Sequence, residues 1–222
     1  MHHKLSIIMN KTAELVKEWA DFEEKHPDSG IDDFCRFHLT KVREEKKVEY
    51  PLFDDVMPPR VDEMFIKIID RILKLYMVYV DMAMKGSGIN NFDDFYFLNA
   101  VANLKEPKKT QVIYHNITEL SSGLLIIDRL KKVKYITEHD DPNDKRSKRL
   151  QITEQGRKVL LECYDRLGKV CDLFFQDVCD EDLKLCIQLT KNLEIKFSNL
   201  WQLHKGKPFE DVYNDIVVNK GF

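Results

Sequence analysis

Lys145, Arg146, Lys148 and Arg149 crowd four cations into five positions. That density suits the neutralisation of phosphate, and an arginine in such a run can enter a narrow minor groove. Upstream, Thr118, Ser121 and Ser122 set three hydroxyls within about one helical turn, a spacing that serves hydrogen bonds to phosphate or base edges. Catalytic patterns do not emerge. There is no glycine-rich phosphate loop, nucleophile elbow or metal-binding helix motif. His115 and His139 have no second ligand at helical spacing, and Asp93-Asp94 reads as an acidic first helical turn. The expectation is a non-enzyme with no catalytic residues, no metal and no cofactor.

Charge distribution sharpens this reading. The 222-residue chain carries a net −3, which does not suggest a polyanion partner. Between Lys105 and Leu150, however, 11 Lys/Arg face 7 Asp/Glu. A basic segment set in an acidic body resembles a localised phosphate-binding face.

The elements that must position these residues follow from periodicity. Apolar residues at helical spacing predict helices over 5–26 and 31–48, with Phe34, Phe37, Leu39 and Val42 as candidate buried positions of the second. Prolines at 51, 58 and 59 mark a boundary. The strongest helix, 60–85, has an apolar stripe wide enough to need a large partner surface, and Gly86-Ser87-Gly88 ends it. Three shorter helices are expected over 92–104, 108–115 and 119–132, with Thr118 as N-cap of the third. Gly123 would let that third helix approach a ligand closely. A strand over 133–138, an Asp/Asn/Pro turn and a strand over 145–152 make a charged hairpin. Thr153 should cap a helix over 154–176, and Asp180 another over 181–204.

Three helices followed by a hairpin are the order of a winged helix-turn-helix, in which the third helix enters the major groove and the hairpin reaches the flanking backbone or minor groove. The expected fold class is mainly α, with a small β-hairpin wing and a helical dimerisation region. Its segments are an N-terminal helical extension (1–58), dimerisation helices (59–90 and 154–204), the winged helix-turn-helix (91–153) and a tail (205–222).

The run from Asp128 to Leu160 resembles the signature of the MarR (multiple antibiotic resistance regulator) family. It has Asp128-Arg129-Leu130, then Asp141, Asp144 and Arg146, then Leu150-x-Ile152-Thr153-x-x-Gly156. The resemblance implies a homodimeric regulator of transcription on double-stranded DNA. It places 118–130 in the major groove, Arg146 in the minor groove and Asp144 as the residue that holds the wing. Thr118, Ser121, Ser122, Lys145, Arg146 and Lys148 are then the expected DNA contacts. It also implies release from DNA by a small phenolic or lipophilic effector.

The sequence departs from the family pattern at two places. Lys134 stands where glycine is usual before the first wing strand. If its backbone is left-handed, it costs about 1 kcal/mol. Leu125 stands where an arginine is frequent. The five cysteines form no CxxC pair and read as buried small hydrophobes of a reducing cytoplasm. No signal peptide or membrane-spanning run is read, so a cytoplasmic location is expected. A redox-responsive regulator, and a winged helix kept only for protein interaction, are the alternatives.

Overall fold

A computed structural model of the chain describes residues 2–44, 52–142 and 144–218. It divides into two compact units, Met1–Met64 and Phe65–Phe222, with the boundary in the first turn of the third helix.

In the first unit, α1 (His2–Lys25) and α2 (Ile31–Glu44) are joined across the His26–Gly30 break. Residues 45–48, the end of the longer second helix expected from sequence, lie outside the described residues. The hairpin is held by an aromatic cluster. Trp19 meets Phe34 edge-on at 5.0 Å, and Phe22 lies 5.6 Å from Phe34 and 5.0 Å from Phe37. Glu18 lies 2.7 Å from His38 Nδ1 and forms an ion pair with Lys41 (3.3 Å). Two helices share only one seam, so Phe22 and Phe34 are buried, whereas Phe37, Leu39 and Val42, also expected inside, are exposed.

The second unit is built from all but the first turn of α3 (Val61–Met84), with α4 (Phe92–Asn103), α5 (Lys109–His115), α6 (Leu120–Lys132), β1 (Ile136–Asp141), β2 (Asp144–Ile152), α7 (Glu154–Phe175) and α8 (Asp180–His204). A short α9 (Phe209–Tyr213) and a π-helical turn (Asn214–Val218) follow in the tail. Strands β1 and β2 pair antiparallel, with Ile136 opposite Ile152 and Glu138 opposite Leu150. The Leu150 amide also donates to the Pro107 carbonyl (2.9 Å), which draws the segment before α5 alongside β2. The core lies where α4, α5, α6 and the hairpin meet. Leu98, Val112, Ile113, Ile127, Ile136 and Leu150 are at most 1% exposed.

The first strand begins three residues later than expected. Val133 is instead the C-cap of α6, and Lys134 turns the chain at φ +62° before an extended run can start. Asp180 falls inside α8, whose N-cap is Cys179. The cysteines also differ from expectation: Cys163 is buried, while Cys35, Cys171, Cys179 and Cys186 are exposed. Burial pushes the Cys163 thiol up, against thiolate reactivity. Among the described residues, no helix is long and apolar enough to cross a membrane.

Candidate nucleic-acid interface

Helices α5 and α6 are linked by Asn116, Ile117 and Thr118, with Ile117 in the left-handed region at φ +50°. The expected capping role of Thr118 is not what forms. Its hydroxyl donates to the Asn116 carbonyl (2.9 Å), and the N-cap of α6 is Glu119, one residue later, with no side-chain cap. The threonine hydroxyl closes the turn because the left-handed Ile117 brings the Asn116 carbonyl within its reach.

Along α6 the two faces separate cleanly. Gly123, Ile126, Ile127 and Leu130 are buried, whereas Ser121, Ser122, Leu125 and Asp128 are exposed. Gly123 therefore works inward rather than toward a ligand. A Cβ there would sit 2.5 Å from Ile113 Cγ1, so the glycine allows α6 to pack closely on α5. Leu125, at 69% exposure, lies between the serines and Asp128 on the outward face.

The wing carries its own counter-charges. Lys148 pairs with Asp140 across the hairpin. Asp144 accepts from the Ser147 hydroxyl (2.7 Å) and lies 3.8 Å from the Lys108 ammonium. At the root of the wing, buried Asp141 meets Arg149 Nε at 3.0 Å, and Arg149 also donates to the Glu106 carbonyl (2.9 Å). Arg149 thus braces the hairpin against the segment before α5. The ammonium groups of Lys109 (2.6 Å) and Lys131 (2.9 Å) converge on Glu138 Oε1. Burial alone would raise that carboxyl. The two lysines outweigh burial and hold it below the usual carboxylate range. The backbone of Lys145 and Arg146 lies in β2, and their side chains are outside the described residues.

Behind this surface, two contacts fix the geometry. The Thr153 hydroxyl accepts from the Gly156 amide (3.0 Å) and donates to the Lys134 carbonyl (2.7 Å), so one side chain caps α7 and ties it to the start of the wing. Gly156 is required there, since a Cβ would lie 2.1 Å from the Tyr135 carbonyl oxygen. Arg129 reaches back from α6 to Asp94 on α4, with Nε at 2.8 Å and Nη2 at 2.5 Å from Oδ1. In the sequence Asp94 reads as a first-turn acid, with no sign of this role. The Asp128-Arg129-Leu130 motif was the available signal, but nothing local says which carboxylate the arginine meets.

Neither a sequence-family profile nor a curated protein sequence matches the chain. Solved structures do. The transcriptional regulator SlyA superposes with a TM-score of 0.57 at 15% identity, covering 64% of this chain and 99% of that one. The fold is that of the MarR-type transcription regulators.

BpsR of Bordetella bronchiseptica, whose DNA binding is regulated by 6-hydroxynicotinic acid, gives 0.55 at 17% identity, covering 62% of this chain and 97% of its own. Apo MarR from E. coli gives 0.52 at 14% identity, covering 63% and 98%. The MarR-type fold gives its sequence motif a physical meaning here. Thr153 and Gly156 seat the first turn of α7 against Lys134 and Tyr135, and Arg129 locks α6 onto α4.

Proposed function

We propose that the chain is a sequence-specific, DNA-binding transcription regulator of the MarR family, acting in the cytoplasm as a homodimer and not as an enzyme. The observation that carries this reading is the outward face of α6. On a fold whose solved members are transcriptional regulators, it presents Ser121 and Ser122 beside a hairpin that bears Lys145, Arg146 and Lys148. The serines meet bases or phosphates in the major groove, with Thr118 at the helix entry. Arg146 enters the minor groove, while Lys145 and Lys148 meet phosphates. Asp144 steadies the wing turn through Ser147.

Dimerisation is supported by apolar side chains left in the open on α3 and α8. Ile66, Ile72 and Val78 on α3, and Ile187, Leu189 and Phe197 on α8, are each at least half exposed. Such faces are expected to bury against a second copy. In this arrangement 59–90 and 154–204 form the dimerisation region, 91–153 the DNA-binding domain, 1–58 an added helical extension and 205–222 a tail. The operator is a pseudo-palindrome with half-sites about one helical turn apart. The regulation of BpsR by 6-hydroxynicotinic acid supports control by a small phenolic or lipophilic effector.

One observation favours a second reading. Lys108, Lys109, Lys131, Lys148 and Arg149 each lie beside a carboxylate, a surface that would also suit a protein partner. Selection from a randomised duplex pool separates the two. Enrichment of a two-fold symmetric sequence supports the regulator, whereas a pool that stays random under dimeric, folded protein contradicts it.

A further inference from the structure

A cleft of about 620 Å3 opens between α5 and α8. That volume falls inside the range of small-molecule sites. Its aromatic end is Tyr114 and Trp201, packed edge-on with centroids 6.1 Å apart. Thr110 and His115 line it from α5, Glu194 and Ser198 from α8. The Ser198 hydroxyl occupies Glu194 Oε1 at 2.6 Å, leaving Oε2 to accept from an occupant. Trp201 follows Glu194 by seven positions on α8, roughly 10 Å along the axis. The cleft therefore offers a ring-sized apolar end and, a short arm away, a carboxylate.

We propose that this cleft binds an aromatic amine with a short alkyl arm, its ring against Tyr114 and Trp201 and its ammonium group on Glu194. An ammonium–carboxylate contact of this kind discriminates by charge, because an acid of the same shape would meet Glu194 as a like charge.

The position of the cleft gives binding a consequence, which rests on the regulator reading. Lys205, at the end of α8, lies over both rings, 5.2 Å from the Tyr114 centroid and 5.5 Å from that of Trp201. The same ammonium pairs with Glu119 at 2.9 Å, and Glu119 is the N-cap of α6. Ile117, whose left-handed backbone sets the entry of α6, forms part of the rim. An occupant that moves the rings shifts Lys205 and the α5–α6 turn together. A second large cleft among the described residues, lined by Tyr79, Glu162 and Arg166 between α3 and α7, touches no residue of that turn.

The test uses Trp201 as reporter. The chain has two tryptophans, so Trp19→Phe leaves only the one in the cleft. This protein is titrated with phenethylamine and, separately, with phenylacetate. Saturable change in Trp201 emission with the amine, at least about tenfold weaker with the acid, is the expected result. Glu194→Gln should bring the two ligands within about threefold of each other. No saturable change with phenethylamine, or equal binding of the acid, overturns the site. DNA anisotropy is then read with and without amine. Amine binding that leaves DNA affinity unchanged overturns the coupling. Amine binding by a protein that shows no DNA affinity at all leaves the site standing and sinks the regulator reading instead.

Discussion

Arg129 on α6 holds the Asp94 carboxylate on α4 through Nε at 2.8 Å and Nη2 at 2.5 Å, with the Asp94 side chain 6% exposed. The proposed recognition helix is thereby fastened to the body of the domain by a charge-assisted fork rather than by apolar contact alone. Removing the arginine strands a buried carboxylate. Because Arg129 itself is partly solvated, Arg129→Ala should cost about 2–3 kcal/mol in urea unfolding. Arg129→Lys should recover less than half of this, since a single ammonium cannot reproduce the fork.

Gly156 sets a stricter limit. A methyl group there would press on the Tyr135 carbonyl, which is backbone and has nowhere to move without dragging Lys134 and Thr153 with it. Gly156→Ala should lower stability by about 3 kcal/mol or more, read as a fall in Tm by calorimetry. Gly123→Ala should be milder, because the obstruction is the movable side chain of Ile113.

Lys134 points the other way. Its φ of +62° is a conformation that glycine adopts without steric cost. Lys134→Gly should stabilise the fold by about 0.5–1 kcal/mol, the left-handed penalty less the extra freedom glycine has in the unfolded chain. A loss of stability in chemical denaturation would show that the lysine side chain contributes something the backbone does not reveal.

Glu138 gives the wing a pH dependence. Its folded-state carboxyl titrates below the ordinary value, held there by Lys109 and Lys131 against the effect of burial. A depressed carboxyl stabilises the fold above the unfolded value of about 4.3, and that stability is lost as pH falls through the folded value. Unfolding followed from pH 6 down to pH 3 should therefore show a steeper decline than in Glu138→Gln. Parallel curves would assign the acid sensitivity to other carboxylates.

The helices, the hairpin and their order were legible because each rests on contiguous periodicity and on local breakers such as Gly86-Ser87-Gly88. What sequence misplaced depends on neighbours far along the chain or on a single dihedral. Val133-Lys134-Tyr135 has strand-forming residues, but the left-handed Lys134 delays β1 to Ile136. Thr118 has the composition of an N-cap, yet the left-handed Ile117 turns its hydroxyl back to Asn116. Gly123 stood where a ligand contact was plausible, and only the packing of α6 on α5 shows that it faces Ile113. The cations of the wing and of α5 were visible one by one. Their partners were not, because Arg149–Asp141 and Lys109–Glu138 join residues that pattern alone cannot pair.

In the proposed function, α6 and the wing read DNA. The most direct test is fluorescence anisotropy of the protein on the DNA upstream of its own gene and on unrelated DNA, across a salt series, for wild type and Arg146→Ala. Tighter binding to the upstream site is expected, with affinity falling linearly in log–log form and a slope reduced by about 1 in the variant. A folded dimer with no salt-dependent affinity for either DNA would contradict the account, and an Arg146→Ala slope identical to wild type would remove the wing from the interface.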